Sequence, residues 1–176
     1  MEALDKLDAA LGHHVEAAIK VPNRVTPGAF DHLALALFWN PALVEAACKR
    51  IVAAVPQGTD CVAAISRLGI PFAASLSYWL AQERPLHGRL VRLDIEDLPS
   101  ESHVSEGIRR AVDGRSVILC DDTVNSGHNA LRAVDELSSL CSVTQLWVVY
   151  DNVGHEERSR VENIRARLTS GAFALC

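Results

Sequence analysis

The chain has 176 residues, a formal net charge of −5, 49% hydrophobic residues and 22% charged residues. At roughly 150 residues per domain this is one compact domain, large enough to bury a core without disulfides, and too apolar to be disordered. The mild acidity excludes a sequence-independent electrostatic grip on nucleic acid. No apolar run approaches the roughly 18 residues of a membrane span, and the acidic start Met1–Asp8 predicts no export.

The cationic residues are uneven. Of the 17 basic residues only Lys6, Lys20 and Lys49 are lysines, so arginine supplies the charge of the C-terminal two-thirds. Cys48, Cys61, Cys120, Cys141 and Cys176 are odd in number and widely spaced, and four of them lie in apolar surroundings. That pattern predicts small core residues in a reducing cytoplasm.

Taken in chain order, Leu4, Leu7, Leu11, Val15 and Ile19 recur at helical spacing and predict an amphipathic first helix over 2–20. Residues 21–40 carry Pro22, Pro27 and Gly28 and read as looped; with the first helix they form an expected N-terminal hood, 1–40, ahead of a core over 41–176. Asn40 as N-cap and Pro41 at the first helical position open a helix over 42–55. Four apolar runs then predict strands at Asp60–Ile65, Gly88–Leu93, Ser116–Cys120 and Ser142–Tyr150. Helices are expected at 70–82, 127–140 and 156–168, and Asp94–Gly107 reads as a long loop. Strands separated by helices imply an α/β fold, a parallel sheet flanked by helices on both faces.

The window Ser116–Leu131 carries the chemistry. An apolar strand runs into Asp121 and Asp122, then Thr123-Val124-Asn125-Ser126-Gly127-His128-Asn129, then an amphipathic helix. Ligands of open α/β sheets sit beyond the carboxyl ends of the strands. A helix N-terminus there offers unpaired N–H groups and a positive dipole end to a phosphate, with Asn125, Ser126 and Asn129 as further donors. The two acids suit sugar hydroxyls, or Mg²⁺ held with the sugar. A phosphate cradle beside an acid pair describes a ribose 5-phosphate site. The same residues also read as a strand end and a helix cap with no ligand.

The segment Val117-Ile118-Leu119-Cys120-Asp121-Asp122-Thr123-Val124-Asn125-Ser126-Gly127-His128-Asn129 resembles the phosphoribosyl-diphosphate (PRPP) loop of the type I phosphoribosyltransferases. Both acids and the central glycine match, while Asn125, Ser126 and Asn129 stand where that family has threonines. Asp60–Ala74, with its Gly69-Ile70-Pro71 element, resembles the strand, diphosphate loop and helix of the orotate branch. Residues 25–160 follow that branch's order. The resemblance implies a homodimer that transfers the 5-phosphoribosyl group of PRPP to a nucleobase such as orotate, with Mg²⁺ as cofactor. On that reading Asp121 and Asp122 hold the ribose hydroxyls and the metal, residues Thr123 to Asn129 hold the 5-phosphate, and Ser66, Arg67, Leu68 and Gly69 face the diphosphate.

The departures from the pattern concern cations. The mobile loop of the orotate branch is lysine-rich, whereas Asp94–Gly107 holds five carboxylates, no Lys or Arg, and His103. Such a loop stays open, acts through Mg²⁺ or serves another purpose. Arg67 and Arg92 are the expected substitutes, with His103 as the loop's one titratable cation, and Leu68 takes a position where the family has glycine or a basic residue. His128 is either a donor beside the phosphate or a surface side chain. Two other functions remain open: a PRPP-binding regulatory module without turnover, and a transferase or hydrolase of another phosphorylated sugar.

Overall fold

A computed structural model describes residues 41–83, 89–93, 104–151, 158–168 and 172–175. The expected hood over 1–40, most of the acidic loop and His103 lie outside them. In chain order the described elements are α1 (Pro41–Ala54), β1 (Cys61–Ala64), α2 (Ile70–Glu83), β2 (Arg89–Arg92), α3 (Glu106–Val112), β3 (Ser116–Val124), α4 (His128–Ser138), β4 (Ser142–Asp151), α5 (Arg158–Arg167) and β5 (Ala172–Leu175).

The five strands form one sheet in the order β2-β1-β3-β4-β5, and every pairing is parallel. Parallel pairing buries both faces of a sheet, which is why β1 is apolar at every position rather than alternating. Its side chains point alternately to two separate cores. Val62 and Ala64 pack with Cys48, Ile51 and Val52 of α1, and with Phe72, Ala73 and Leu76 of α2. Cys61 and Ala63 face the opposite layer, with Val112 of α3, Ala133, Val134 and Leu137 of α4, and Val161 and Ile164 of α5. In α4 the buried set Ala130, Ala133, Val134 and Leu137 follows helical spacing, so one stripe faces the sheet and the other faces solvent.

Cys48, Cys61 and Cys120 are buried thiols outside any disulfide among the described residues, as their apolar neighbours predict, whereas Cys141 is half-buried. Burial pushes the Cys48 thiol up to about 12, so it stays neutral as a core side chain.

Three elements depart from the sequence reading. β3 does not end at Cys120 but continues to Val124, so Asp121 and Asp122 lie within the strand. Its pairing with β4 carries on through Asp121↔Val148 and Thr123↔Tyr150, and this backbone bonding holds the strand after its apolar run has stopped. The C-terminal part of the expected loop is helical. Ser105 caps α3 by accepting the Ile108 N–H, and Glu106 sits in the first turn, where the helix dipole favours an acid. β5 was not expected; it pairs with β4 from Gln145↔Ala172 to Val148↔Leu175.

Candidate phosphate site at the end of the third strand

The site is assembled where the C-terminal ends of β1 and β3 lie side by side. Ala64 pairs with Cys120, and the Ile65 N–H extends the pairing to the Cys120 carbonyl at 2.9 Å. The next residues, Ser66 just beyond β1 and Asp121 within β3, therefore meet. Ser66 Oγ lies 2.5 Å from Asp121 Oδ1 and 3.1 Å from Asp122 Oδ1. It also accepts the Gly69 N–H at 3.0 Å. A hydroxyl has one proton, so it donates to one of the two carboxylates at a time. The Asp122 N–H donates to Asp121 Oδ1 at 3.0 Å, and Thr123 Oγ1 lies 3.3 Å from Asp122 Oδ2.

Both acids are buried, with Asp121 4% exposed and Asp122 7% exposed. Burial holds the Asp121 carboxyl well above the usual carboxylate range. The adjacent Asp122 charge adds to the rise, and the Ser66 hydrogen bond opposes it. The close fit of the two strand ends also explains Gly69. A Cβ there would stand 3.1 Å from Asp121 Cα and Oδ1, and 3.2 Å from the Cys120 carbonyl, so no larger residue fits without moving the acids.

Beyond the acids, residues 125–127 turn the chain into α4. Gly127 is the residue at the helix start and has φ +72°, a left-handed conformation that glycine adopts without strain. Gly127 has no side chain to cap this helix, and Ser126 Oγ accepts the His128 N–H at 3.3 Å. The first turn of α4 thus presents backbone donors into the crevice.

These parts surround a pocket of about 220 Å³ lined by Ser66, Leu68 and residues 121–130. The structure brings Asp121, Asp122, Thr123, Val124, Asn125, Ser126, Gly127, His128 and Asn129 together with Ser66 and Leu68, two of the four residues expected to face the diphosphate, which follow β1. Val124 is buried and faces the core cluster as well. Leu68 is 45% exposed and contributes the apolar part of the wall. Arg67 and Arg92 are exposed and do not line the pocket; Gly69 stands behind it against Asp121. Among the described residues no Lys or Arg forms part of the lining.

One residue of the site escapes sequence reasoning. Arg160 on α5 donates from Nη1 to the Ser126 carbonyl, 34 residues away. Nothing in its local sequence marks it, because its partner is a backbone atom.

No family model matches the chain, and no curated protein matches it in sequence. Solved structures match its fold. The adenine phosphoribosyltransferase of Saccharomyces cerevisiae, complexed with an imino-altritol bisphosphate and adenine, gives a TM-score of 0.64 at 21% identity. That match covers 96% of this chain and 99% of the yeast one. Giardia lamblia APRTase complexed with 9-deazaadenine gives 0.61 at 19% identity, over 87% of this chain and 89% of that one. Orotate phosphoribosyltransferase from Aeropyrum pernix gives 0.50 at 17% identity, over 78% and 75%. At such identities the likeness is one of fold.

Proposed function

We propose that this chain, which has the type I phosphoribosyltransferase fold, binds PRPP in the β3 pocket and transfers its 5-phosphoribosyl group to a nucleobase, releasing diphosphate. One observation carries this reading. A buried acid pair and the N-terminus of α4 open into the same pocket, whose lining includes the ten consecutive residues 121–130. The acids accept hydrogen bonds from sugar hydroxyls, and the loop donates to the 5-phosphate from its backbone N–H groups. Neither half binds both ends of a sugar phosphate; together they fix its orientation.

In the transfer, the bond from C1 to the diphosphate oxygen breaks and its electron pair leaves with diphosphate. A ring nitrogen of the base supplies the pair for the new bond at C1 and then loses its proton. The carboxylates beside the ribose favour positive charge on the ring as it develops. Arg67, exposed one residue beyond Ser66, is assigned to the diphosphate, and Arg92 at the end of β2 is the second cation of this reading.

Mg²⁺ fits the same donor set. Two adjacent carboxylates face the pocket, and among the described residues no group of three or more His, Cys, Asp or Glu completes a protein cage. That suits a hard cation that keeps water and shares its ligands with substrate oxygens. Asp121 and Asp122 would hold it, and bound there it would neutralise charge on the diphosphate. The homodimer implied by the sequence resemblance and the cytoplasmic location expected from the cysteine pattern belong to the same proposal.

The test is diphosphate release from PRPP and Mg²⁺ with a panel including orotate and adenine. The sequence motifs point to orotate, while the adenine enzymes above superpose with the higher TM-scores. Turnover with one base and none without it is the expected result. A second reading, a PRPP-binding module without turnover, is favoured by Leu68 in the wall and the lack of a lining Lys or Arg among the described residues. Tight PRPP binding with no diphosphate released by any base selects it.

A further inference from the structure

We infer that Arg160 is a positioning residue for the phosphate loop, holding the Ser126–Gly127 peptide so that the Gly127 N–H faces the pocket. The inference rests on the phosphate-binding role proposed above and adds a part to it.

The geometry starts from the back of the loop. The Arg160 guanidinium donates to the Ser126 carbonyl. Its Cγ and Cδ lie 3.7 and 3.6 Å from where a Cβ on Gly127 would stand, and Ile164 Cδ1 lies at 3.5 Å. Arg160 and Ile164 share one face of α5, four residues apart, and that face packs directly behind Gly127. Ile164 is fully buried, and Arg167 of the same helix pairs with Asp135 of α4. The helix that carries Arg160 is thus tied to the helix that the loop begins.

A trans peptide points its C=O and N–H in opposite directions, and the described chain has no cis bond. Drawing the Ser126 carbonyl toward α5 therefore aims the Gly127 N–H away from α5. The pocket lies on that side, because no α5 residue is among its lining residues. Gly127 at φ +72° is the residue with the freedom to flip, and Arg160 removes that freedom. The guanidinium also polarises the peptide it holds, which strengthens the N–H as a donor. Its charge supports an anion from behind a wall that has two carboxylates in front.

The test uses the full chain. Ribose 5-phosphate is titrated calorimetrically into the wild type, Arg160→Ala, Arg160→Lys and Arg167→Ala, and the Gly127 amide resonance is followed in the ligand-free proteins. The expected result is affinity at least tenfold weaker in Arg160→Ala, recovered to within about threefold by Arg160→Lys, and unchanged within about twofold in Arg167→Ala, which breaks only the contact to Asp135. The Gly127 resonance moves in Arg160→Ala and stays in place in Arg167→Ala. Equal affinity of Arg160→Ala and the wild type overturns the inference, as does an unmoved Gly127 resonance. A wild type that binds no ribose 5-phosphate sinks the functional reading instead. The positioning role is then decided by the resonance alone.

Discussion

The carboxyl ends of β1 and β3 meet in one pocket but contribute different kinds of residue. From β3 and the turn after it come two buried acids, the small polar side chains of Thr123, Asn125, Ser126 and Asn129, and the backbone donors of a helix start. From β1 come Ser66, whose hydroxyl is spent on the two acids, and Leu68, an apolar side chain in the wall. Gly69 completes the β1 turn by leaving space for Asp121. On the proposed function, the β3 end carries the groups that recognise a sugar phosphate, while the segment after β1 supports those groups from behind. Among the described residues the lining of this pocket holds no Lys or Arg.

The largest expected effect comes from the recognising end. Asp122→Asn removes a charged acceptor while keeping shape, and is predicted to weaken ribose 5-phosphate binding by about tenfold to a hundredfold, the usual worth of a charged hydrogen bond. Calorimetry checks it, and an unchanged affinity would mean that the acids do not read the sugar. The supporting end is broken by Gly69→Ala. A Cβ 3.1 Å from the Asp121 Cα forces backbone to move, at a cost of about 1–3 kcal/mol. Thermal denaturation should show a fall of roughly 2–4 °C for each kcal/mol in a chain of this size.

Asp121 offers a test with the opposite sign. Its carboxyl holds its proton more tightly in the folded chain than in the unfolded one. Folding is therefore favoured most at low pH, and this contribution is lost as pH climbs from the unfolded carboxylate value of about 3.9 through the raised folded value. Asp121→Asn should flatten that slope and stabilise the protein near neutral pH by about 1 kcal/mol, while weakening ligand binding. A variant less stable than the wild type at pH 7 would contradict it. The smallest effect is expected from Leu68→Arg, which places a cation in the wall. Diphosphate affinity should rise by about threefold, as suits a partly exposed ion pair. No gain would show that Leu68 points away from where diphosphate sits.

The sequence made the β3 half of this comparison legible because its residues are contiguous. An apolar strand, two acids, a polar loop with glycine and an amphipathic helix all fall in one window, and each step has a local physical signal. The rest depends on contacts between distant segments. The continuation of β3 through Asp121 and Asp122 is concealed by their polarity, and it is held by β4 and by Ser66 across 55 residues. α3 is seven residues long and follows an acidic stretch without apolar periodicity. β5 has four residues and exists through its pairing with β4. Arg67 and Arg92 have the charge and the sequence position for the diphosphate, yet both lie outside the lining. Arg160 had no such mark and reaches the loop through a carbonyl oxygen.

On the proposed function, the end of β3 is built for a 5-phosphoribosyl group. Calorimetric titration of ribose 5-phosphate with Mg²⁺ into the wild type, and into an Asp121→Asn/Asp122→Asn double variant, tests it most directly. Saturable one-to-one binding to the wild type that the double variant loses is expected. No heat of binding to the folded wild type, or equal binding to both proteins, would contradict it.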